Sequence, residues 1–326
     1  MTLPADLRLP VSRLYFELRA NRLFDLPPYA ATTLRGALGT ALRSRTCQTG
    51  APTCEGCPVA SQCVYGRVWE GALPEGVQLP RRMEPQAPYV VNAPFQHRPY
   101  NLRPDETFVF DVTLIGSARA HWRDVIMAAR DASVRGLGRS SGAESVELQW
   151  VWAAKPDSDE PYSLYREDKG MRPDAMLPAF ELPALNEPLD VDGAPVSIRL
   201  LLLTPLVLVR ERRVLPQFDP VTFTKRLKAR VEMLARITAD FQGEIPAQPW
   251  LDYADAVRVG EQFIEDTAFE RMSRRQDHAI PMQGIIGDLL LHHVHPDLLR
   301  LWRTAELIHC GKQAAFGFGA IRILPG

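Results

Sequence analysis

The chain has 326 residues, 46% hydrophobic and 24% charged, an ordinary balance for a soluble globular protein and enough length for roughly two domains of about 150 residues. Thirty-eight Lys and Arg against 39 Asp and Glu leave a net charge of −1, which argues against general coating of nucleic acid and requires any such contact to come from a local patch. No basic segment followed by a long apolar run opens the chain. The longest apolar run, Leu200 to Leu208, is broken by Thr204 and Pro205 and falls short of the ~20 residues that span a bilayer, so a cytoplasmic protein with no membrane partner is expected.

In chain order, Leu14 to Ala20 reads as a strand, and a helical stretch follows from about Tyr29 to Arg45. A loop-rich excursion then runs from Cys47 to roughly Leu102, dense in Pro, Gly and Cys. Phe108, Phe110, Val112 and Leu114 alternate as in a half-buried strand. Trp122, Val125, Ile126 and Ala129 recur at helical spacing; Gly136-Leu137-Gly138 stops that helix, and Ser145 to Val151 alternates again.

The second half repeats this order. Val196 to Leu203 is an apolar strand, and Asp219-Pro220 is a helix start, an N-cap with proline at the first helical position. Phe223, Leu227, Val231 and Leu234 then form an apolar stripe. Two shorter strand-like stretches lie near Ala256–Ile264 and Ile280–Leu291. A helix is expected from about Asp297 to Ile308, and Phe316–Ile323 closes the half. Each half therefore reads strand-helix-strand-strand-helix-strand, and each carries a Gly-x-Gly before its last strand. The predicted fold class is α+β: two tandem ferredoxin-like (βαββαβ, RRM-like) domains. The expected boundaries are 1–154, with a Cys-rich insertion at about 46–65, then 155–195 as an insertion or linker, then 196–326.

Cys47, Cys54, Cys57 and Cys63 have the close spacing of a small metal knuckle, with Pro52, Gly56 and Pro58 supplying turns. Reduced thiols in a cytosolic chain suit a closed tetrahedral zinc site, with an iron–sulfur cluster as the alternative. Cys310 stands apart, and a buried apolar thiol is the default for it. The end of the chain, His309-Cys310-Gly311-Lys312 through Gly317-Phe318-Gly319, combines a cation with glycines that would let a ligand's backbone approach closely.

Several segments together resemble the CRISPR precursor-RNA processing endoribonucleases of the RAMP superfamily. They are Arg35-Gly36-Ala37-Leu38-Gly39-Thr40-Ala41-Leu42-Arg43, the four cysteines followed by Tyr65, and Pro205-Leu206 with Arg210 to Arg213. Gln217-Phe218-Asp219-Pro220, Ser273-Arg274-Arg275-Gln276, Met282-Gln283-Gly284-Ile285-Ile286-Gly287 and the glycine-rich tail complete the set. The resemblance implies a CRISPR repeat RNA as partner, other effector subunits as further partners, and cleavage without a catalytic metal. It also implies that the cysteine insertion marks one branch of the family. Many members of that branch have a histidine where this chain has Thr40. A related RAMP subunit that binds guide RNA without cutting it is the alternative reading, and Thr40 is the residue that favours it.

Metal-free cleavage has the ribose 2′-hydroxyl attack the adjacent phosphorus and expel the 5′-oxygen. It needs a proton acceptor, a proton donor and cations or hydrogen-bond donors for the phosphorane. The candidate catalytic residues are His309, His97, Tyr29 and Lys312. The candidate RNA contacts are Arg35 and Arg43, eight residues apart and so roughly on one helix face, then Arg210, Arg212, Arg274, Arg275, Gln276, Lys312, Gly317 and Gly319.

Overall fold

The computed structural model describes residues 7–80, 83–137, 142–156, 158–182, 193–273 and 278–326. The chain forms two compact units. The first comprises Leu9–Glu181 with Met233–Asp240, and the second Leu182–Glu232 and Phe241–Gly326 with the residues up to Arg8.

The first unit runs β1 (Pro10–Ala20), β2 (Phe24–Leu26), α1 (Ala30–Thr46), β3 (Tyr89–Asn92), β4 (Tyr100–Leu102), β5 (Thr107–Ile115), α2 (Trp122–Arg135) and β6 (Val146–Lys155). Then come β7 (Ser158–Arg166), β8 (Gly170–Met171) and β9 (Phe180–Glu181). Its main sheet is antiparallel, ordered β3-β5-β1-β6-β7-β8, with β9 also pairing β1. Leu14, Phe16, Leu18 and Ala20 of β1 are buried while Arg13, Tyr15, Glu17 and Arg19 are partly exposed, so successive side chains part to opposite faces. Phe16 pairs with Phe110 across β1–β5, and their rings stack 5.0 Å apart. In α1 the buried positions Ala30, Ala31, Leu34, Leu38, Ala41 and Leu42 keep to one stripe, and α1 packs on α2. Each buried leucine in such a stripe contributes about 1.5–3 kcal/mol. Of the segment expected as an insertion or linker, the described part up to Glu181 adds β7, β8 and β9 to this sheet.

The second unit contains β10 (Val196–Leu206), the small hairpin β11 (Val209–Arg210) and β12 (Arg213–Val214), and α3 (Pro220–Thr238), whose last turns belong to the first unit. It continues with α4 (Trp250–Ala256), β13 (Arg258–Ser273), β14 (His278–Val294), α5 (Pro296–Arg303), α6 (Ala305–Ile308) and β15 (Ile321–Pro325). The sheet is ordered β13-β14-β10-β15 and is antiparallel throughout. Asp219 caps α3 as its position suggests, accepting the Thr222 amide at 2.7 Å. Phe223, Leu227, Val231 and Leu234 are fully buried, and Trp302 meets Phe223 edge-on at 5.5 Å.

Two expectations need correction here. The strand-like stretches near 256–264 and 280–291 are strands but longer than expected, β13 and β14, because their pairing continues well past the apolar residues that were legible. The helix expected over 297–308 breaks into α5 and α6 at Thr304, whose hydroxyl donates to the Leu301 carbonyl at 2.7 Å. Taking the four main strands of each unit in chain order, both sheets are arranged second-third-first-fourth.

Candidate functional site

The first unit holds an open cleft of about 660 Å³ along the exposed stripe of α1. Arg35, Gly36, Thr40, Arg43, Ser44 and Cys47 line one wall, and Tyr65, Trp69 and Glu70 line another. The spacing 36, 40, 43/44, 47 follows the helical repeat on the side away from the buried stripe. Residues Tyr65–Trp69 form a single π-helical turn, closed by the Glu70 amide on the Tyr65 carbonyl at 3.2 Å. In an α-helix two residues five apart would point about 140° from one another. The wider turn brings them together, and Tyr65 Oη donates to Glu70 Oε1 at 2.8 Å. Burial first, then the hydrogen bond and charge of Glu70, push the Tyr65 hydroxyl well above the usual phenol range.

Aromatic rings fix the two arginines. Trp69 stacks on Tyr89 at 4.1 Å, and the Arg35 guanidinium lies 5.8 Å from the centroid of each ring. The Arg43 guanidinium lies 5.9 Å from the Tyr65 ring and donates to the Ala51 carbonyl. Gly39 explains how Trp69 comes so near α1: a Cβ there would sit 2.2 Å from the indole nitrogen. Burial pushes the Tyr89 hydroxyl up to about 12. Thr40 is exposed in the cleft, its hydroxyl donating to the Gly36 carbonyl at 2.9 Å.

Cys47, Cys54, Cys57 and Cys63 all line one small cavity of about 10 Å³ beside this cleft. The Cys57 amide donates to the Cys54 carbonyl at 3.2 Å, the tight turn that two intervening residues allow. Burial raises the Cys54 thiol, with Glu70 and the neighbouring thiols Cys63 and Cys57 adding to the effect, whereas backbone amides at Gly50 and Thr49 lower Cys47. Among the described residues no three His, Cys, Asp or Glu side chains already stand in a metal-binding arrangement. The donor set and the ion-sized cavity nonetheless fit a thiolate-bound cation.

In the second unit the glycine loop is packed inward, contrary to the expectation that it lies open to a ligand. Gly317, Phe318 and Gly319 are buried. Gly319 has φ 69°, and a Cβ on it would lie 1.8 Å from the Cys310 carbonyl oxygen. The close approach that glycine permits here is to the chain itself. His309 is only 1% exposed, and its Nδ1 lies 3.1 Å from the Gly317 carbonyl and 3.2 Å from that of Phe318. Both partners are acceptors, so Nδ1 carries the proton and the ring holds the loop. That geometry corrects the expectation of His309 as a proton acceptor for RNA. Lys312, by contrast, is exposed, with its amide tied to the Val207 carbonyl at 3.0 Å. The adjoining β11–β12 hairpin turns through Glu211 and Arg212, both at positive φ. Arg210 and Arg212 are exposed on it, Arg210 pairing with Asp219 at 3.2 Å, and Arg226 reaches back to the Val209 carbonyl. Lys312 and the hairpin thus both adjoin the end of β10.

Tyr29 is 2% exposed and bridges to Phe95, so it belongs to the core at the start of α1 and not to the cleft, another correction. His97 is exposed, edge-on to Phe95 at 5.5 Å, and is not among the cleft-lining residues. Arg274, Arg275 and Gln276 lie outside the described residues. Trp69 and Glu70 were not singled out in the sequence. The signal available was an aromatic, cation and carboxylate cluster, Tyr65-Gly66-Arg67-Val68-Trp69-Glu70, directly after the last clustered cysteine.

Residues 9–176 match the AF_1859_N family model, described as an N-terminal domain, and residues 200–321 match the model of CRISPR-associated endoribonuclease Cas6. Among curated proteins none matches the sequence. Among solved structures, a chain of the partial Cas6-RT-Cas1–Cas2 complex superposes with a TM-score of 0.60 at 13% identity, covering 100% of this chain and 47% of that one. The chain therefore spans about half the length of that relative. Thermus thermophilus Cas6 (TTHB231) superposes with a TM-score of 0.52 at 14% identity, and its product complex with 0.55; each covers 97% of this chain and 99% of the other. At such identities the likeness is one of fold alone. Over residues 200–321 the chain carries a domain of the CRISPR-associated endoribonuclease Cas6 family.

Proposed function

We propose that this chain binds a CRISPR repeat RNA and cuts the precursor transcript by 2′-hydroxyl attack, with no catalytic metal. In this reading its two units are tandem ferredoxin-like domains of a cytoplasmic protein, and a zinc ion held by Cys47, Cys54, Cys57 and Cys63 has a structural role. The observation that carries the proposal is the arginine-lined cleft on α1 in a chain whose residues 200–321 match the Cas6 model. Arg35 and Arg43 supply fixed positive charge where a phosphorane would form, and their aromatic supports hold them without help from substrate. Thr40 and Ser44 offer hydroxyls along the same wall. Lys312, Arg210 and Arg212 would grip phosphates elsewhere on the RNA. The zinc ion, when bound, would tie the loop after α1 to the turn that carries Tyr65, and no step of the reaction passes through it.

The test is cleavage of labelled repeat RNA in EDTA. One cut per repeat is expected, leaving a 2′,3′-cyclic phosphate, and a 2′-deoxy substitution at that nucleotide should block it. Tight binding with intact RNA would instead identify a guide-RNA-binding subunit, the reading that Thr40 favours.

A further inference from the structure

Among the described residues that line it, the cleft has no histidine: Thr40 stands on α1, and neither His309 nor His97 lines it. Metal-free cleavage still needs a proton acceptor near the two arginines, and among the described lining residues Glu70 is the one carboxylate. We infer that Glu70 accepts the 2′-hydroxyl proton and that Tyr65 is the residue that positions it. The inference rests on the proposed function and assigns the residue that reading leaves open.

Three observations converge on this assignment. Glu70 is exposed, so its carboxylate is reachable from solvent-borne RNA. Tyr65 Oη holds its Oε1 at 2.8 Å, a bond made possible by the π-helical turn, which leaves Oε2 as the atom assigned to the ribose hydroxyl. The charged and polar groups around it come from every neighbouring element: Arg35 and Arg43 from α1, Tyr89 from β3, and Cys54 from the cysteine loop. The carboxylate shares the cleft with two guanidinium groups, which can meet the charge on phosphorus while it takes the proton. π turns are rare, and those that occur are frequent at functional sites.

The step balances as follows. The 2′ O–H bond breaks and its proton moves to Glu70 Oε2. The 2′ oxygen then bonds to phosphorus, and the P–O5′ bond breaks. The 5′ oxygen takes a proton from water, and Glu70 returns its own proton to water. The products are a 2′,3′-cyclic phosphate and a 5′-hydroxyl.

The experiment measures single-turnover cleavage of the cognate repeat RNA in EDTA, and affinity for the same RNA with a 2′-deoxy at the cut site. Glu70→Gln should slow cleavage by about 100-fold or more, with affinity within about threefold of the parent. Glu70→Asp should retain part of the rate. Tyr65→Phe keeps the buried ring and should slow cleavage by about tenfold, yet cost nothing further on the Glu70→Gln background, because its effect passes through Glu70. Melting temperatures identify any variant that fails to fold, and Glu70→Asp with Tyr65→Phe then carries the test. If the parent chain cuts and Glu70→Gln cuts at the same rate, Glu70 is not the acceptor and the proposed function stands. If Tyr65→Phe is additive with Glu70→Gln, the positioning role falls. If the parent leaves RNA intact, the proposed function and this assignment fall together.

Discussion

Gly319 shows how one residue type can serve opposite purposes in the same motif. A glycine in a loop beside a lysine suggests room for a ligand, yet the room at Gly319 is already taken by the Cys310 carbonyl. The loop is tied from both sides. Thr204 Oγ1 donates to the Gly317 carbonyl at 2.7 Å and accepts the Ala320 amide at 2.9 Å, and the Gly319 amide donates to the Pro205 carbonyl at 3.0 Å. His309 completes this set from α6. Gly319→Ala is therefore expected to destabilise the chain even with no RNA present. The left-handed conformation alone costs roughly 1–3 kcal/mol, and the clash with backbone adds to it. Denaturant unfolding measures the loss; an unchanged midpoint with weakened RNA affinity would return Gly319 to the RNA site.

At the scale of elements, periodicity carried most of what was legible. The β1 strand, the α1 helix and the Asp219-Pro220 start of α3 stand where they were expected; β5 does too, but it is buried throughout from Phe110 to Ile115, so the half-buried alternation expected there fails. The far reach of β13–β14 was hidden because pairing, and not burial, sustains it: past the expected end at Ile264, Glu265, Asp266 and Ala268 are exposed. The Tyr65–Trp69 turn was hidden for another reason, since a π turn has no repeat to read in five residues. Arg35 and Arg43 were found by helical spacing, whereas Glu70 reaches their cleft only through that turn. The cysteine loop stands between these cases. Its spacing announces a metal knuckle, and the fold brings all four thiols to one cavity, where burial raises the Cys54 thiol in the absence of a cation. Purified chain is expected to hold about one equivalent of zinc by native mass spectrometry. Cys57→Ser should lose that metal and lower the melting temperature by roughly 5 °C. Iron with visible absorbance in place of zinc would favour the cluster, and a metal-free chain of full stability would remove the site.

For the whole molecule, the net charge of −1 sets the terms on which RNA can be held. With no net positive charge, affinity has to come from phosphates met at short range by local cations, and counterion release counts them. Lys312 and Arg212 are exposed on neighbouring loops at the end of β10, Lys312 tied to Val207 and Arg212 on the hairpin that starts at Val209. If each neutralises one phosphate, the slope of log affinity against log salt should flatten by about one in Lys312→Ala and by about two when Arg212→Ala is added. Cleavage at saturating RNA should hardly change, because neither residue lines the α1 cleft. The prediction separates grip from chemistry: a variant that binds with the parental slope takes Lys312 off the RNA surface, and one that binds normally but cuts slowly would move it to the reacting phosphate.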